Sequence, residues 1–275
     1  MQPTDISWAD YTWNPITGCS HAGPECWNCY AETFSLRQGR TDHEWTVENA
    51  AENVTMHPDR LADPDEFAFP DGPGRVFVGS MTDMFHGQVD PGFVQQVLDV
   101  CRRFPEHVWI WLTKRPHHAA EWRLDWPPNT ILGCSVGSGP GGEFPCTTHR
   151  IEQLRDVNVP RRWVSFEPLI EPVGEVPLDH IDWMVVGGET GAADDRREMD
   201  HEWARDLLEQ ARDAGVPYYF KQDSGRHPEQ NTRLTVYNDE FGVYEQRRIR
   251  EGFDLPTVTA QCRAQQSAAA GGDAR

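Results

Sequence analysis

Residues 75–113 read RVFVGSMTDMFHGQVDPGFVQQVLDVCRRFPEHVWIWLT, and their pattern decides the fold. Two short apolar runs, 75–80 and 108–113, flank a segment with helical periodicity over 90–104. That segment begins with Asp-Pro, which suits an N-cap followed by the first helical position. Two strands joined by a crossover of this length pair in parallel, with a right-handed connection.

The same alternation extends to both sides of this unit. Further strands are predicted over 8–13, 130–136, 162–166, 183–187 and 217–221, and further helices over 27–38, 116–123, 147–156 and 201–214. Seven parallel strands with crossover helices predict an α/β fold, as a (β/α) barrel or partial barrel, with a doubly wound open sheet as the alternative. We expect a barrel-like domain over 1–224, a C-terminal extension with a small hairpin over 225–262, and a disordered tail over 263–275.

The charge of the chain indicates its setting. The formal net charge is -19, from 44 acidic and 25 basic residues, and only Lys114 and Lys221 among the basic residues are lysines. Such an acidic, halophilic composition suits a high-salt cytoplasm, although an acidic protein from a GC-rich genome would look similar. It argues against a general polyanion-binding surface at low salt, but not against nucleic acid in a locally basic cleft.

We expect the chain to carry no signal for export or for membrane association. It has neither a basic, apolar leader nor an apolar run of the roughly 20 residues that span a bilayer. Seven cysteines, an odd number, indicate a reducing compartment, so we expect a cytoplasmic protein. Four of the cysteines are scattered and are expected to be small buried or incidental residues: Cys101, Cys134, Cys146 and Cys262.

The other three cysteines share one loop after the first predicted strand. Residues 12–31 read TWNPITGCSHAGPECWNCYA and space Cys19, Cys26 and Cys29 as C-x6-C-x2-C. A metal, a cluster or a disulfide could join them, and the C-x2-C half favours a metal or cluster. Three ligands leave a coordination position open for chemistry, whereas His21 as a fourth ligand would close a Cys3His zinc site.

Polar residues follow nearly every strand, at the edge where parallel α/β folds place their chemistry. In chain order these residues are Gly79, Ser80, Asp83 and His86; Lys114 and Arg115; Ser135; Glu167; Gly187, Gly188 and Glu189; and Lys221. We expect Asp83, Lys114, Glu167 and Lys221 to be catalytic, with the lysines chosen for their compact, tunable ammonium groups.

Several of these residues have simpler interpretations. Glu167 and Glu189 could only neutralise nearby cations, and the glycine pair before Glu189 could only allow a tight turn. Asp83 and His86 could form an acid/base pair or cap the next helix. Trp109 and Trp111 alternate along a strand, which favours core packing over a stacking platform.

The chain resembles a known family of phage-associated three-cysteine proteins that lacks a settled activity. The resemblance rests on six motifs in order between Trp8 and Gln222: TWNPITGC with CWNCYA, VFVGSMTDMFH, WLTKRP, VSFEPLIEPVG, VVGGETG and YYFKQ. It implies membership of that family. Some members occur with a separate three-Cys-motif partner protein, which is therefore a candidate partner.

A more distant similarity is to radical S-adenosylmethionine (SAM) enzymes, in which a partial (β/α) barrel carries three cysteines after its first strand. The similarity implies that Cys19, Cys26 and Cys29 bind three irons of a [4Fe–4S] cluster, with SAM on the fourth. It also implies a SAM site at Gly187, Gly188 and Glu189, to which we add the strand ends at Gly79, Ser80 and Ser135. An electron donor would reduce the cluster.

This chain departs from the radical SAM pattern in three ways. The usual spacing is C-x3-C-x2-C, and the usual aromatic residue before the last cysteine is replaced by Asn28. The usual glycine motif follows the second strand, where this chain has Gly79-Ser80-Met81. We nevertheless expect reductive SAM cleavage and hydrogen abstraction from an anionic substrate, such as a nucleotide or nucleic acid, held by Lys114, Arg115 and Lys221. The alternatives are a zinc hydrolase or nuclease with Asp83, Glu167 or Glu189 as base, and a non-catalytic, zinc-stapled interaction protein of a mobile element.

Overall fold

The structure, a computed structural model, describes residues 1–238 and 242–246. Its centre is an eight-stranded sheet in which a two-residue edge strand runs antiparallel and seven strands run parallel, in simple chain order. The strands are β1 (Gln2–Pro3), β2 (Tyr11–Trp13), β5 (Arg75–Val78), β6 (Val108–Thr113), β7 (Thr130–Ser135), β8 (Arg162–Phe166), β9 (Trp183–Gly187) and β10 (Tyr218–Gln222). Two short antiparallel pairs lie outside it: β3 (Ile16–Thr17) with β4 (Thr55–Met56), and β11 (Leu234–Asn238) with β12 (Gly242–Gln246).

Helices connect most of the parallel strands. They are α1 (Tyr30–Arg37), α2 (Ala50–Asn53), α3 (Asp63–Glu66), α4 (Pro91–Arg103), α5 (Pro116–Trp122), α6 (His149–Arg155) and α7 (His201–Ala214), with 3-10 turns at Pro24–Cys26 and Pro58–Ala62. The expected cap of α4 is confirmed, because Asp90 Oδ1 accepts a hydrogen bond from the Gly92 N–H at 2.9 Å. The helix α7 ends at Gly215, whose φ of 68° is the left-handed value that favours glycine.

The sheet separates two apolar cores. Its outer face packs under the helices and includes Trp109 and Trp111, both fully buried as the alternating pattern predicted. Its inner face holds a smaller cluster that contains Phe77, Ile110, Ile131, Trp163, Trp183 and Tyr219. Gly133 makes room within that cluster, since a Cβ at this position would lie 2.4 Å from the Trp163 ring.

The inner face curves around a single side chain, Trp8. Its ring lies 4.8 Å from the ring of Phe77 in β5 and 5.2 Å from that of Trp163 in β8. These strands are three positions apart, about 14 Å in a flat sheet, so the sheet must bend for one indole to contact both. The segment before β2 also reaches the far edge, where the Ser7 N–H donates to Glu229 Oε1 at 3.0 Å.

The predicted fold class is confirmed as an α/β fold with a mostly parallel sheet and crossover helices. Within 1–238 and 242–246 the sheet does not close, because β10 forms no ladder with the β1–β2 edge. The structure is thus a curved, open sheet. The expected C-terminal hairpin is present as β11 and β12, whereas the predicted tail over 263–275 and Cys262 lie outside the described residues.

None of the helices in the described ranges is long and apolar enough to cross a bilayer.

Candidate functional site

A cavity of about 640 Å³ opens at the carboxyl ends of the parallel strands. The predicted site residues that line it are Cys19, Cys26, Cys29, Gly79, Ser80, Asp83, Lys114, Arg115, Ser135, Glu167, Gly188, Glu189 and Lys221. Gly187 is not among the lining residues and sits at the end of β9, one residue before the cavity wall. The predicted residues therefore lie around one cavity, because parallel strands bring their carboxyl ends to one edge, and their functional roles remain predictions.

Two of the three cysteine sulfurs accept N–H groups from fixed neighbours. Arg115 Nη1 lies 3.7 Å from Cys19 Sγ, and the Ala22 N–H donates to Cys26 Sγ at 3.4 Å. Sulfur is a weak acceptor unless it carries negative charge. These contacts suit thiolates, the form in which cysteine binds metals.

The third sulfur, Cys29, sits at the N-cap of α1. Burial raises the pKa of Cys29, and the backbone N–H groups of Ala31 and Glu32 oppose this rise by hydrogen bonding. Burial likewise raises the pKa of Cys19 to about 12, against the opposing charge of Arg115. Burial thus disfavours the charged form of these two thiols, whereas the neighbouring N–H groups and the Arg115 charge favour it.

Asp83 anchors the end of β6 to the loop after β5. Its carboxylate accepts hydrogen bonds from Thr113 Oγ1 at 2.6 Å, the Lys114 N–H at 2.9 Å, Arg115 Nη1 at 3.0 Å and the Phe85 N–H at 3.0 Å. Burial opposes ionisation, but the Arg115 charge and these donors outweigh it and lower the pKa of Asp83. Both oxygens are thus occupied by structural contacts.

His86 does not form the acid/base pair with Asp83 that its position in the sequence suggested. Its Nε2 lies 2.8 Å from Ser20 Oγ, and its Nδ1 accepts the Gln88 N–H at 3.1 Å. Burial, reinforced by the Arg115 charge, lowers the pKa of His86 to about 4. The neutral ring therefore supports the cysteine loop through Ser20.

Two arginines that the sequence did not single out also hold this loop, the buried Arg150 and the partly buried Arg197. Arg150 in α6 pairs with Glu25 at 3.0 Å and donates to the carbonyls of Ser135 at 2.8 Å and Ala22 at 3.0 Å. The pair is almost completely buried, with side-chain exposures of 4% and 0%. No local sequence pattern marks it, because 125 residues separate the partners.

The second arginine, Arg197, forms hydrogen bonds with the carboxylate of Glu189. Its backbone N–H and Nε donate to Glu189 Oε2 at 2.8 and 3.0 Å, and its Nη2 donates to the Pro24 carbonyl at 3.0 Å. Hydrogen bonds from Arg197 lower the pKa of Glu189 against the effect of burial. Glu189 therefore lines the cavity without offering a free carboxylate, and its predicted cofactor role would have to use its backbone.

The two lysines differ in their surroundings. Lys221 forms an ion pair with Glu167, as the neutralising interpretation of Glu167 predicted. Lys114 has no ion-pair partner among the described side chains, and it lines the cavity. Burial opposes that charge, but nearby Cys26, Glu25 and Cys29 favour it, so the pKa of Lys114 is raised. Lys114 is the cation best placed to bind an anionic group in the cavity.

The glycine positions near the cavity are required by the backbone. Gly79 has φ of 83°, and a Cβ there would lie 2.7 Å from Met84 Cγ. A Cβ on Gly188 would lie 2.3 Å from the Ser224 backbone nitrogen. Tyr30 donates its hydroxyl to the Ser80 carbonyl, which connects the cysteine loop to the end of β5. Close packing explains both glycines, and a SAM contact at either remains a prediction.

Residues 3–270 match the family model described as protein of unknown function, DUF5131. The chain belongs to this family. The expectation that it is a member of a family without a settled activity is thus confirmed, and its phage association remains a prediction. No curated protein matches the chain in sequence.

Among solved structures, a spore photoproduct lyase mutant is similar at 13% identity and a TM-score of 0.42, over 96% of this chain and 76% of that one. Spore photoproduct lyase complexed with dinucleoside spore photoproduct is similar at 11% identity and a TM-score of 0.42. A mutant of that enzyme with bound AdoMet and the same photoproduct is similar at 11% identity and a TM-score of 0.41. Both matches cover the same shares of the two chains as the first. At these scores the likeness carries no argument about the activity of this DUF5131 protein.

Proposed function

We propose that Cys19, Cys26 and Cys29 bind a [4Fe–4S] cluster and that the protein is an enzyme of radical SAM type. The observation that carries the proposal is the convergence of three thiols from one loop on a single cavity at the strand ends, each sulfur beside N–H donors. Three ligands, and not four, leave one iron open.

Three cysteines beside an open cavity form a donor set that a [4Fe–4S] cluster can use. Within the described ranges, no three His, Cys, Asp or Glu side chains converge closely enough to hold one metal ion. In a [4Fe–4S] cluster each thiolate binds a different iron, so the three sulfurs do not have to reach one metal ion. His21, the candidate fourth zinc ligand, is instead engaged by Glu32 Oε2 at 2.7 Å, so a closed Cys3His site would have to break that pair.

The surroundings of the candidate bases disfavour the hydrolase alternative. A general base needs a carboxylate that can reach a water or a substrate proton. Asp83 is saturated by four donors, Glu167 is paired with Lys221, and Glu189 is bound by Arg197. The proposed reaction needs none of them as a base.

When bound, the cluster would supply an electron that cleaves SAM reductively to a carbon radical, which abstracts hydrogen from the substrate. The residues of the chain bind and shield the reactants. Lys114 holds an anionic group, the SAM carboxylate or a substrate phosphate, close to Cys26 and Cys29. The apolar floor formed by Phe77 and Leu112 excludes water from the space above the inner core.

The test is SAM consumption by anaerobically purified protein under a strong reductant, measured as methionine release. We expect release from the wild type and none from Cys26→Ala. Cys146→Ser is the matched control, because this cysteine is exposed and lies outside the three-cysteine loop. A cluster-containing protein that releases no methionine would contradict the SAM assignment, and a protein without a cluster would contradict the metal assignment. The substrate remains a prediction, with nucleotides and nucleic acids as the first class to test.

A further inference from the structure

Three arginines reach the cysteine loop from three separate parts of the fold. Arg115, after β6, donates Nη2 to the Ser20 carbonyl at 2.8 Å. Arg150, in α6, donates to Ala22, and Arg197, before α7, donates to Pro24, both at 3.0 Å. The acceptors are alternate carbonyls of the segment between Cys19 and Cys26. We propose that these arginines are positioning residues that hold the cysteine loop in its metal-binding form before any metal arrives.

Each guanidinium is also fixed by a carboxylate on its other side. Arg115 pairs with Asp83, Arg150 with Glu25 and Arg197 with Glu189, and all three carboxylates are buried. A guanidinium presents several N–H groups in one rigid plane, so it can bind a carboxylate and a carbonyl together. An ammonium group cannot reproduce that geometry. Arginine therefore suits all three positions in a way that lysine does not.

The first part of the loop has no regular secondary structure to hold its shape. Residues 19–23 belong to no helix or strand, and six residues separate the first two cysteines. Such a segment loses substantial conformational entropy when it is fixed, and in many metal sites the metal supplies the compensating free energy. Here, hydrogen bonds from the three guanidinium groups contribute compensating free energy before a metal binds, since hydrogen bonds from charged donors are stronger than neutral ones.

The arginine contacts continue to two of the sulfurs. Arg115 contacts both the Ser20 carbonyl and Cys19 Sγ. Arg150 donates to the Ala22 carbonyl, and the backbone N–H of Ala22 donates to Cys26 Sγ. Loosening either guanidinium would therefore displace a sulfur directly. This inference rests on the proposed metal site but is independent of whether the metal is an iron–sulfur cluster or zinc.

The experiment compares Arg115→Lys, Arg150→Lys and Arg197→Lys as metal-free proteins. Each is treated with a small alkylating agent, and peptide mass spectrometry follows the modification of individual cysteines. We expect alkylation of Cys19 and Cys26 to become about ten- to hundredfold faster, which corresponds to the loss of one charged hydrogen bond. Arg155→Lys is the matched control, because Arg155 lies in the same helix as Arg150 and only approaches Asp179 at 4.0 Å on the surface.

Cys101 in α4 distinguishes a positioning role from general destabilisation, since it is fully buried in the outer core. Under the proposal its alkylation keeps the wild-type rate in the lysine variants. Equal acceleration at Cys101, or unchanged rates at Cys19 and Cys26, would overturn the proposal.

A measurement on the wild type covers the case in which a variant does not fold. Hydrogen exchange of residues 20–26 is compared between the metal-free and metal-loaded protein, with iron and zinc loading run separately. The proposal expects these amides to be protected already without metal. Protection that develops only on loading would overturn it, whichever metal binds.

Discussion

Replacing Glu25 with glutamine would remove one charge from the most deeply buried ion pair that holds the cysteine loop. The substitution keeps the shape of the side chain, but leaves Arg150 with side-chain exposure of only 4% and no opposite charge. Breaking a buried pair from one side costs about 3–5 kcal/mol, because the remaining charge stays out of water. That is a large part of the roughly 5–15 kcal/mol that stabilises a typical domain.

A surface pair provides the matched comparison. Arg103 and Asp65 also approach to 2.9 Å, but their side chains are 52% and 45% exposed. Solvent screens such a pair, so Asp65→Asn should change the free energy of unfolding by about 1 kcal/mol or less. The two substitutions differ mainly in the burial of the partner that is left behind.

The assay is urea unfolding of the metal-free protein in high salt, followed by tryptophan fluorescence and far-UV circular dichroism. We expect Glu25→Gln to lower the midpoint well below that of Asp65→Asn, with the denaturant dependence unchanged. A double-mutant cycle with Arg150→Met should give a coupling energy of about 2 kcal/mol or more. Equal, small effects of Glu25→Gln and Asp65→Asn would refute the argument that this buried pair stabilises the loop.

Three further predictions test other parts of the molecule. Lys114→Met should weaken SAM binding about tenfold or more, through the loss of a charge-assisted contact, while iron content is unchanged; a loss of iron would instead indicate a structural role. Trp8→Ala should destabilise the protein by about 3–5 kcal/mol in urea unfolding, and a cost below about 1 kcal/mol would contradict its place at the centre of the curved sheet. The hydrogen bond to Asp223 raises the pKa of His201 above 6.5, so this pair stabilises the fold below that pH and the contribution is lost as pH rises through the folded-state pKa. His201→Gln should thus cost more at about pH 5.5 than at about pH 9, and a cost independent of pH would contradict the pairing.

The sequence predicted the sheet well because each parallel strand is a short apolar run bounded by turn residues. Predicted and observed bounds coincide for β6, β8 and β9, and the helix over 201–214 coincides with α7. The strand pattern also predicted that the polar residues at the strand ends would lie together. Parallel pairing brings the carboxyl ends of the strands to one edge of the sheet. The sequence left a closed barrel, a partial barrel and an open sheet as alternatives, because closure depends on long-range packing such as that of Trp8 inside the curve.

The partners of the site residues were much harder to predict. Glu189 was expected near the cations of the strand ends, but Arg197 binds it from the loop that follows β9. Asp83 follows a strand, where a catalytic carboxylate is expected, but four neighbouring donors occupy its carboxylate oxygens. Arg150 and Glu25 carry no motif, since their pairing depends on the packing of α6 against the cysteine loop. Residue type and strand order locate a site, whereas the three-dimensional contacts decide which charges in it are free.

Metal content tests the central claim most directly. The protein is purified anaerobically in high salt, and iron, acid-labile sulfide and zinc are quantified per chain for the wild type and Cys26→Ala. The account predicts about four irons and four sulfides per wild-type chain, with both lost in the variant. Stoichiometric zinc without sulfide would contradict it and would direct attention to the zinc-binding alternatives.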